Sequence, residues 1–363
     1  MPNSAPLHSG LVPSISQKNR IMILSQPHNQ KILITGASGF IGSFAVAEAL
    51  RRGDEVWAGV RATSSKEALS DPRIHFIDLP YGNSGQLAAT LQTVKPQVER
   101  WDVVIHIMGL TKCQQKGDFD RVNFDYTRNL VQALDAADMR PGQFIYLSSL
   151  SAMGPGNEQT LDEIKYTDTP CPNTLYGQSK LKTENFLRAI PDYPWTILRP
   201  TGVYGPREKD YFVMLQTLQR HINPAIGFKP QYITFIYVKD LVKVIYGCID
   251  RNLVEKTYLV ADGDVWTSSD YVHLSMRKLG ISWAFPLVVP CFLVKGLCTL
   301  METVGGWFGK LPTLNKDKYN ILSARNWKCE MEPLQRDLEF KADYPLDKGL
   351  EESIAWYREN HWL

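Results

Sequence analysis

The chain has 363 residues, 44 % of them hydrophobic and 21 % charged, with 40 Lys and Arg against 38 Asp and Glu for a net charge of +2. So small a net charge gives no electrostatic footprint for nucleic acid, and the length suits two domains or one α/β domain with an appended lobe. The six cysteines (Cys113, Cys171, Cys248, Cys291, Cys298, Cys329) are scattered with no Cys-x-x-Cys, which argues against a zinc site or disulfide framework and for a reducing, cytoplasmic compartment.

Residues 1–30 lack the continuous apolar core of a signal peptide and carry Pro2, Pro6, Pro13, Ser4, Ser9 and Ser14. They read as a disordered tail, with Met22 as a candidate true start. From residue 31 strand-like stretches (31–35, 55–60, 74–77, 102–107, 143–148, 195–198, 257–260) alternate with helical ones (40–52, 84–94, 118–138, 174–189). Such alternation predicts an α/β fold: a Rossmann-type, doubly wound parallel sheet with helices on both faces. The dinucleotide domain is expected over 31–200, with elements around 232–262 returning to it. The remainder, 201–363, is expected to form a smaller substrate lobe. Its start is marked by turn residues such as Pro200, Gly202, Gly205, Pro206 and Gly227.

The first strand stops at Gly36-Ala-Ser-Gly39-Phe-Ile-Gly42 and an amphipathic segment follows. Gly36 suits a tight turn, Gly39 a close approach of backbone to phosphate, and Gly42 close packing of helix on strand. With Ser38, Phe40 and Ile41 these residues are candidates for binding a dinucleotide pyrophosphate. Where an acid at the end of the second strand would bind the ribose hydroxyls of NAD, this chain has Val60. Arg61, Thr63, Ser64, Ser65 and Lys66 follow. A guanidinium among hydroxyls suits a 2′-phosphate, so NADP is expected, with NAD the alternative. The competing reading of Arg61 is a solvated loop charge. Asp78, beside Leu79, is either an acceptor for the adenine amino group or a turn carboxylate. His106 to Gly109, including Met108, would bring small backbone near the middle of the cofactor, with His106 itself structural.

Tyr176 and Lys180 stand one helical turn apart, which places an ammonium near a phenol. Free tyrosine titrates near 10, and an adjacent cation with oxidised nicotinamide would lower that value. Ser149 ends the strand 143–148, at the edge where open α/β sheets carry their sites.

With these motifs in view the chain resembles the extended short-chain dehydrogenases/reductases, also called the NAD-dependent epimerase/dehydratase family, over about residues 31–262. The resemblance rests on the three glycines, His106-x-x-Gly109, Asn123, Ser148-Ser149, Tyr176-x-x-x-Lys180 and Leu198-Arg-Pro-Thr-Gly-Val-Tyr-Gly-Pro206. It implies Ser149, Tyr176 and Lys180 as a catalytic triad, with Lys180 also bonding the nicotinamide ribose. It also implies Asn123 in the cofactor site, Pro200 to Val203 around the carboxamide, and Phe235 to Asp240 closing the substrate lobe. Two departures stand out. Asn123 is followed by Phe124-Asp125-Tyr126-Thr127, so that Tyr126 is expected to narrow the space beside the cofactor, and Met153-Gly154 replaces an aromatic before glycine.

Arg207, Lys209, Arg220 and Lys229 are candidates for holding the diphosphate of a nucleotide sugar. Against them stands the apolar stretch 283–300, interrupted by Pro286, Pro290 and Lys295. Three readings of it compete: a buried helix or lid over an apolar substrate, a peripheral membrane contact, and a membrane span. The arrangement resembles the 3β-hydroxysteroid dehydrogenase and dihydroflavonol reductase branch. The expected activity is therefore interconversion of a hydroxyl and a ketone on a small lipophilic substrate by an NAD(P)-dependent oxidoreductase. A nucleotide-sugar epimerase, dehydratase or reductase is the alternative, and a non-catalytic cofactor-binding subunit the second. Trp307-Phe308, Trp327, Trp356-Tyr357 and Trp362 read mostly as packing. No metal site and no nucleic-acid partner are expected, and the family resemblance implies a homodimer.

Overall fold

The computed structural model describes residues 29–113, 115–307 and 315–363. The tail with Met22 lies outside the described residues apart from Asn29 and Gln30, as do Phe308 and the side chain of Trp307. Seven strands form one parallel sheet: β1 (Lys31–Thr35), β2 (Glu55–Val60), β3 (His75–Asp78), β4 (Val103–His106), β5 (Gln143–Leu147), β6 (Trp195–Pro200) and β7 (Lys256–Val260). Their order, β3-β2-β1-β4-β5-β6-β7, is the doubly wound one. It reverses between β1 and β4, whose ends align Thr35 with His106.

Both faces are covered because side chains alternate along each strand. Ile32 and Ile34 enter one core with Ala45, Val46 and Ala49 of α1 (Phe40–Arg52), while Leu33 enters the opposite core with Leu87 and Leu91 of α2 (Ser84–Val98). The latter core also holds Leu130 and Leu134 of α3 (Tyr126–Ala136). α1 ends where Gly53 takes the left-handed conformation (φ 82°) after Arg51 and Arg52, a favourable C-terminus for cations.

A third core lies beyond the sheet. Tyr204, Leu215, Leu218, Phe235, Tyr271 and Tyr357 gather there from α5 (Asp210–Gln219), α7 (Ser268–Leu279), the C-terminal helix Leu346–Glu359 and two short parallel strands, Gly202–Tyr204 and Phe235–Tyr237. The chain returns to the sheet in between: α6 (Val238–Asp250) packs on α1, with Tyr246 donating to the Ala45 carbonyl at 2.7 Å, and leads to β7.

Two elements differ from expectation. The helix expected over 118–138 is a single turn at Gly117–Phe119, a π-helical stretch at Asp120–Asp125, and then α3. Extra hydrogen bonding at Asn123 and Thr127, described below, accompanies the wide turn. The stretch 283–300 is part strand: Phe285–Val289 pairs in parallel with Ile222–Ile226, and Pro290 precedes α8 (Cys291–Trp307). Among the described residues no helix is long and apolar enough to cross a membrane. Nor is this stretch buried as a whole, since Phe285 (63 %) and Phe292 (71 %) are largely exposed. The C-terminal Trp356, Tyr357 and Trp362 pack on one another and on Phe212.

Candidate active site

The glycine loop sits at the reversal of strand order. Gly36 has φ +70°, which a side chain would strain, and a Cβ there would press on the Met108 backbone at 2.9 Å. A Cβ on Gly42 would fall on the Gly36 carbonyl, so this glycine is what lets α1 close on the loop. Gly39 caps α1 with no side-chain hydrogen bond, and the first helical turn holds no acid. That leaves the positive end of α1 open to an anion. Ser38 and Phe40 are half-buried there, and Ile41 packs against the core. The cradle fits a dinucleotide pyrophosphate.

Further along the sheet edge, Val60 is buried and Arg61 exposed. Arg61 and Ser64 close a small turn, the Ser64 hydroxyl accepting from the Arg61 amide at 3.2 Å. The register sets Asp78 opposite Val60, so the end of β3 brings this acid to the same end of the sheet as Arg61. Lys66 stands over the Phe76 ring at 4.3 Å. The Leu79 side chain is buried against Gly59, which leaves only its backbone to face a ligand. Tyr126 stacks on Tyr81 (6.0 Å).

Behind the reversal point lies a buried polar network. His106 bonds Thr35 through Nδ1 and Thr127 through Nε2, both at 2.8 Å. Burial, aided by the Lys180 charge, pushes its pKa down to about 3, so the ring is neutral. Asn123 clamps Leu110, accepting from its amide at 2.7 Å and donating to its carbonyl at 3.0 Å. The Asn123 carbonyl accepts from both Thr127 and Thr183 hydroxyls, and its side chain donates to Ser179. Gly109 is exposed, and a Cβ there would meet Asn123 Oδ1 at 3.1 Å and Lys180 Nζ at 3.2 Å. Absence of that methyl leaves room beside the lysine.

Tyr176 and Lys180 lie one turn apart on α4 (Leu175–Arg188), with Thr174 capping the Gly177 amide at 3.0 Å. Asp317 adds a second acceptor at this end, taking the Leu175 amide at 2.8 Å. Phe119 packs on the Tyr176 ring. Burial pushes the Tyr176 phenol up to about 12, with the Ser149 hydroxyl pulling the other way. The Lys180 ammonium donates to the Leu147 carbonyl at 2.8 Å and stands over the Tyr146 ring. Burial brings its pKa down to about 8, against the upward pull of Glu184. The expected lowering of the phenol by lysine is therefore not what the fold alone provides: the ammonium is held by the end of β5. At the end of β6, Pro200 is buried and Val203 half-buried. Arg207 lies over the Phe44 ring, whereas Lys209 and Arg220 are exposed at opposite ends of α5 and Lys229 is exposed beyond the strand Ile222–Ile226. Among the described residues no group of His, Cys, Asp and Glu could hold a metal ion.

A sequence model for the NAD dependent epimerase/dehydratase family matches residues 32–261, from β1 to just beyond β7. The chain belongs to that family. Among curated relatives it is 25 % identical to a ceramide reductase of Caulobacter vibrioides, covering 92 % of this chain and 96 % of that one. It is 29 % identical to a 3 beta-hydroxysteroid dehydrogenase/Delta 5-->4-isomerase of Mycobacterium tuberculosis, with 90 % of each covered. Among solved structures, UDP-glucuronic acid 4-epimerase from Bacillus cereus in complex with NAD superposes with a TM-score of 0.71 at 18 % identity, covering 91 % of this chain and 99 % of that one. That likeness is one of fold.

Within this family fold, one cluster escaped the sequence reading. Arg199 and Glu184 form a buried pair, Nε to Oε1 at 3.0 Å and Nη2 to Oε2 at 2.6 Å, and Ser148 donates to the same carboxylate at 2.5 Å. Its signal was present: Arg199 is the one charged residue of the strand Trp195–Pro200 and so demands a partner, and Glu184 follows Lys180 by one helical turn.

Proposed function

We propose that the protein is an NAD(P)-dependent oxidoreductase that interconverts a secondary alcohol and a ketone on a lipophilic substrate. The observation that carries this reading is the Tyr176 phenol, within the influence of the Ser149 hydroxyl at the C-terminal edge of the sheet and kept protonated by burial. The nicotinamide dinucleotide supplies hydride transfer when bound. Ser149 orients the substrate oxygen through its hydroxyl, and Tyr176 gives or takes the proton at that oxygen. Lys180 brings a cation to this edge beside the methyl-free Gly109, where it would bond the nicotinamide ribose. Gly36 to Gly42 would hold the pyrophosphate, Met108, Gly109 and Asn123 would line the middle of the cofactor site, and Pro200 and Val203 would contribute to the carboxamide pocket. General acid–base help of this kind contributes about 10²–10⁴ in rate.

Val60 in place of an acid, with exposed Arg61 next to it, supports NADP as the preferred cofactor; NAD is the alternative. Two observations support a lipophilic substrate: relatives named for ceramide and hydroxysteroids align over nine-tenths of the chain, and the cations suited to a diphosphate are dispersed. The reading is tested by following NAD(P)H at 340 nm with sterol, long-chain ketone and nucleotide-sugar substrates. Wild type should turn over a lipophilic member. Tyr176→Phe should lose about 10²-fold or more in kcat and keep its cofactor Kd. Turnover of nucleotide sugars alone would refute the substrate class, and full activity in Tyr176→Phe would refute the mechanism.

A further inference from the structure

The outer edge of the C-terminal lobe presents apolar side chains to solvent. Trp283 (60 %), Phe285 and Leu287 project before and along the strand Phe285–Val289, and Phe292, Leu293, Leu297 and Leu300 along α8. Phe228, 80 % exposed, stands on the turn next to Gly227, whose backbone lies against Cys291. Among the described side chains of α8 one row points inward: Val294, Cys298 and the half-buried Glu302, the last paired with Lys116 at 2.5 Å. A contiguous apolar face of this kind is rare on a protein surface that meets only water.

Charge is sorted in the same place. Residues 220–229 and 283–300, which build this edge, contain three Lys and Arg and no Asp or Glu, although the chain as a whole is nearly balanced. Arg220 and Lys229 are exposed on either side of the strand Ile222–Ile226, and Lys295 is exposed on α8 among the leucines. A long lysine stem can lie along apolar surface while its ammonium reaches a charged layer.

We propose that this face docks on an anionic lipid bilayer, with α8 lying in the plane of the headgroup–acyl boundary. Seventeen residues make α8; its acid, Glu302, is paired with Lys116, and an exposed apolar face flanked by basic residues is what such an interface selects. A second copy of the chain fits less well, because a two-fold contact through this patch would set Arg220, Lys229 and Lys295 against their own copies. The docked elements are tied to the site: Glu302 also accepts from the Lys316 amide, and the neighbouring Asp317 holds the first turn of α4. Docking is independent of which alcohol reacts, and is read without turnover.

The test is flotation of the full chain with vesicles of phosphatidylcholine containing about one-third phosphatidylglycerol, against phosphatidylcholine alone. Wild type should float with the anionic vesicles and be released by high salt. Leu293→Glu with Leu297→Glu should lower the bound fraction at least about tenfold, and Lys295→Glu about fivefold on the anionic vesicles alone. Both variants alter exposed side chains, so unchanged NADPH fluorescence titration verifies their fold. The proposal is overturned if wild type stays unbound at low salt, or if the double glutamate variant binds as wild type does. It is equally overturned if wild type sediments as a dimer that this variant splits while neither binds vesicles.

Discussion

Replacing Glu184 by Gln removes a charge on which the interior beneath the candidate site is organised. The carboxylate is fully buried and receives three hydrogen bonds from Arg199 and Ser148, with Arg188 a further 3.1 Å away. Arg199 is only 2 % exposed, and its other contact is the Met153 sulfur. A glutamine keeps the shape but turns an N–H towards donors and leaves the guanidinium charge uncompensated. Breaking a buried pair from one side costs about 3–5 kcal/mol. Arg188 adds little, since its partly exposed side chain can relax into water. In urea the Glu184→Gln variant should therefore lose about 3–5 kcal/mol, read as a lower midpoint at constant slope. Glu184→Leu with Arg199→Met, which removes both charges, should recover most of the loss. Glu184 also holds the Lys180 pKa up against burial. A cation at Lys180 exists below its pKa, so wild-type activity should fall as pH rises through about 8. In Glu184→Gln that limb should move to lower pH. A variant within about 0.5 kcal/mol of wild type, a small surface-type effect, or with an unmoved basic limb, would refute the argument.

Three further outcomes follow from the cofactor loop and the buried histidine. Gly42→Ala forces a methyl onto the Gly36 carbonyl, and fluorescence titration should show the NADPH Kd raised about tenfold or more; an unchanged Kd would contradict the role given to the loop. Arg61→Ala should weaken NADP by about tenfold, the scale of one charge-assisted bond, and leave NAD nearly untouched, whereas equal effects would return Arg61 to the status of a solvated charge. His106, at about 3 in the folded chain against about 6.5 unfolded, binds fewer protons folded than unfolded between those values. The stability it confers is full above pH 6.5 and falls by up to about 1.4 kcal/mol per unit as pH drops. Urea titrations at pH 7 and 5 should differ by about 2 kcal/mol more in wild type than in His106→Gln, and equal differences would show that the ring is not the acid-sensitive group.

The sheet was legible because its strands are short apolar runs separated by helices of amphipathic period, and α1 was legible to the residue because Gly39 and Gly53 bracket it. The π-helical turn was not. Its cause is a set of partners to Asn123 drawn from Leu110, Ser179 and Thr183, far apart in sequence. The stretch 283–300 misled for a related reason. Hydrophobicity fixed its preference for an apolar setting but not which neighbour would supply one, and the strand Phe285–Val289 owes its form to pairing with Ile222–Ile226 some sixty positions earlier. Tyr176 and Lys180 were visible as a helical pair, while the Leu147 carbonyl that engages the ammonium belongs to β5 and carries no sequence signature.

The bond from the Leu175 amide to Asp317 joins residues 142 positions apart. All seven strands are already present in a nascent chain that has reached Val260, and with them the glycine loop and the open end of α1. The first turn of the helix that carries Tyr176 gains its carboxylate only after α8 has been made. During synthesis, then, the means to hold a nucleotide precede the finished setting of the phenol, and a chain stopped before Asp317 would separate the two capacities in a single molecule.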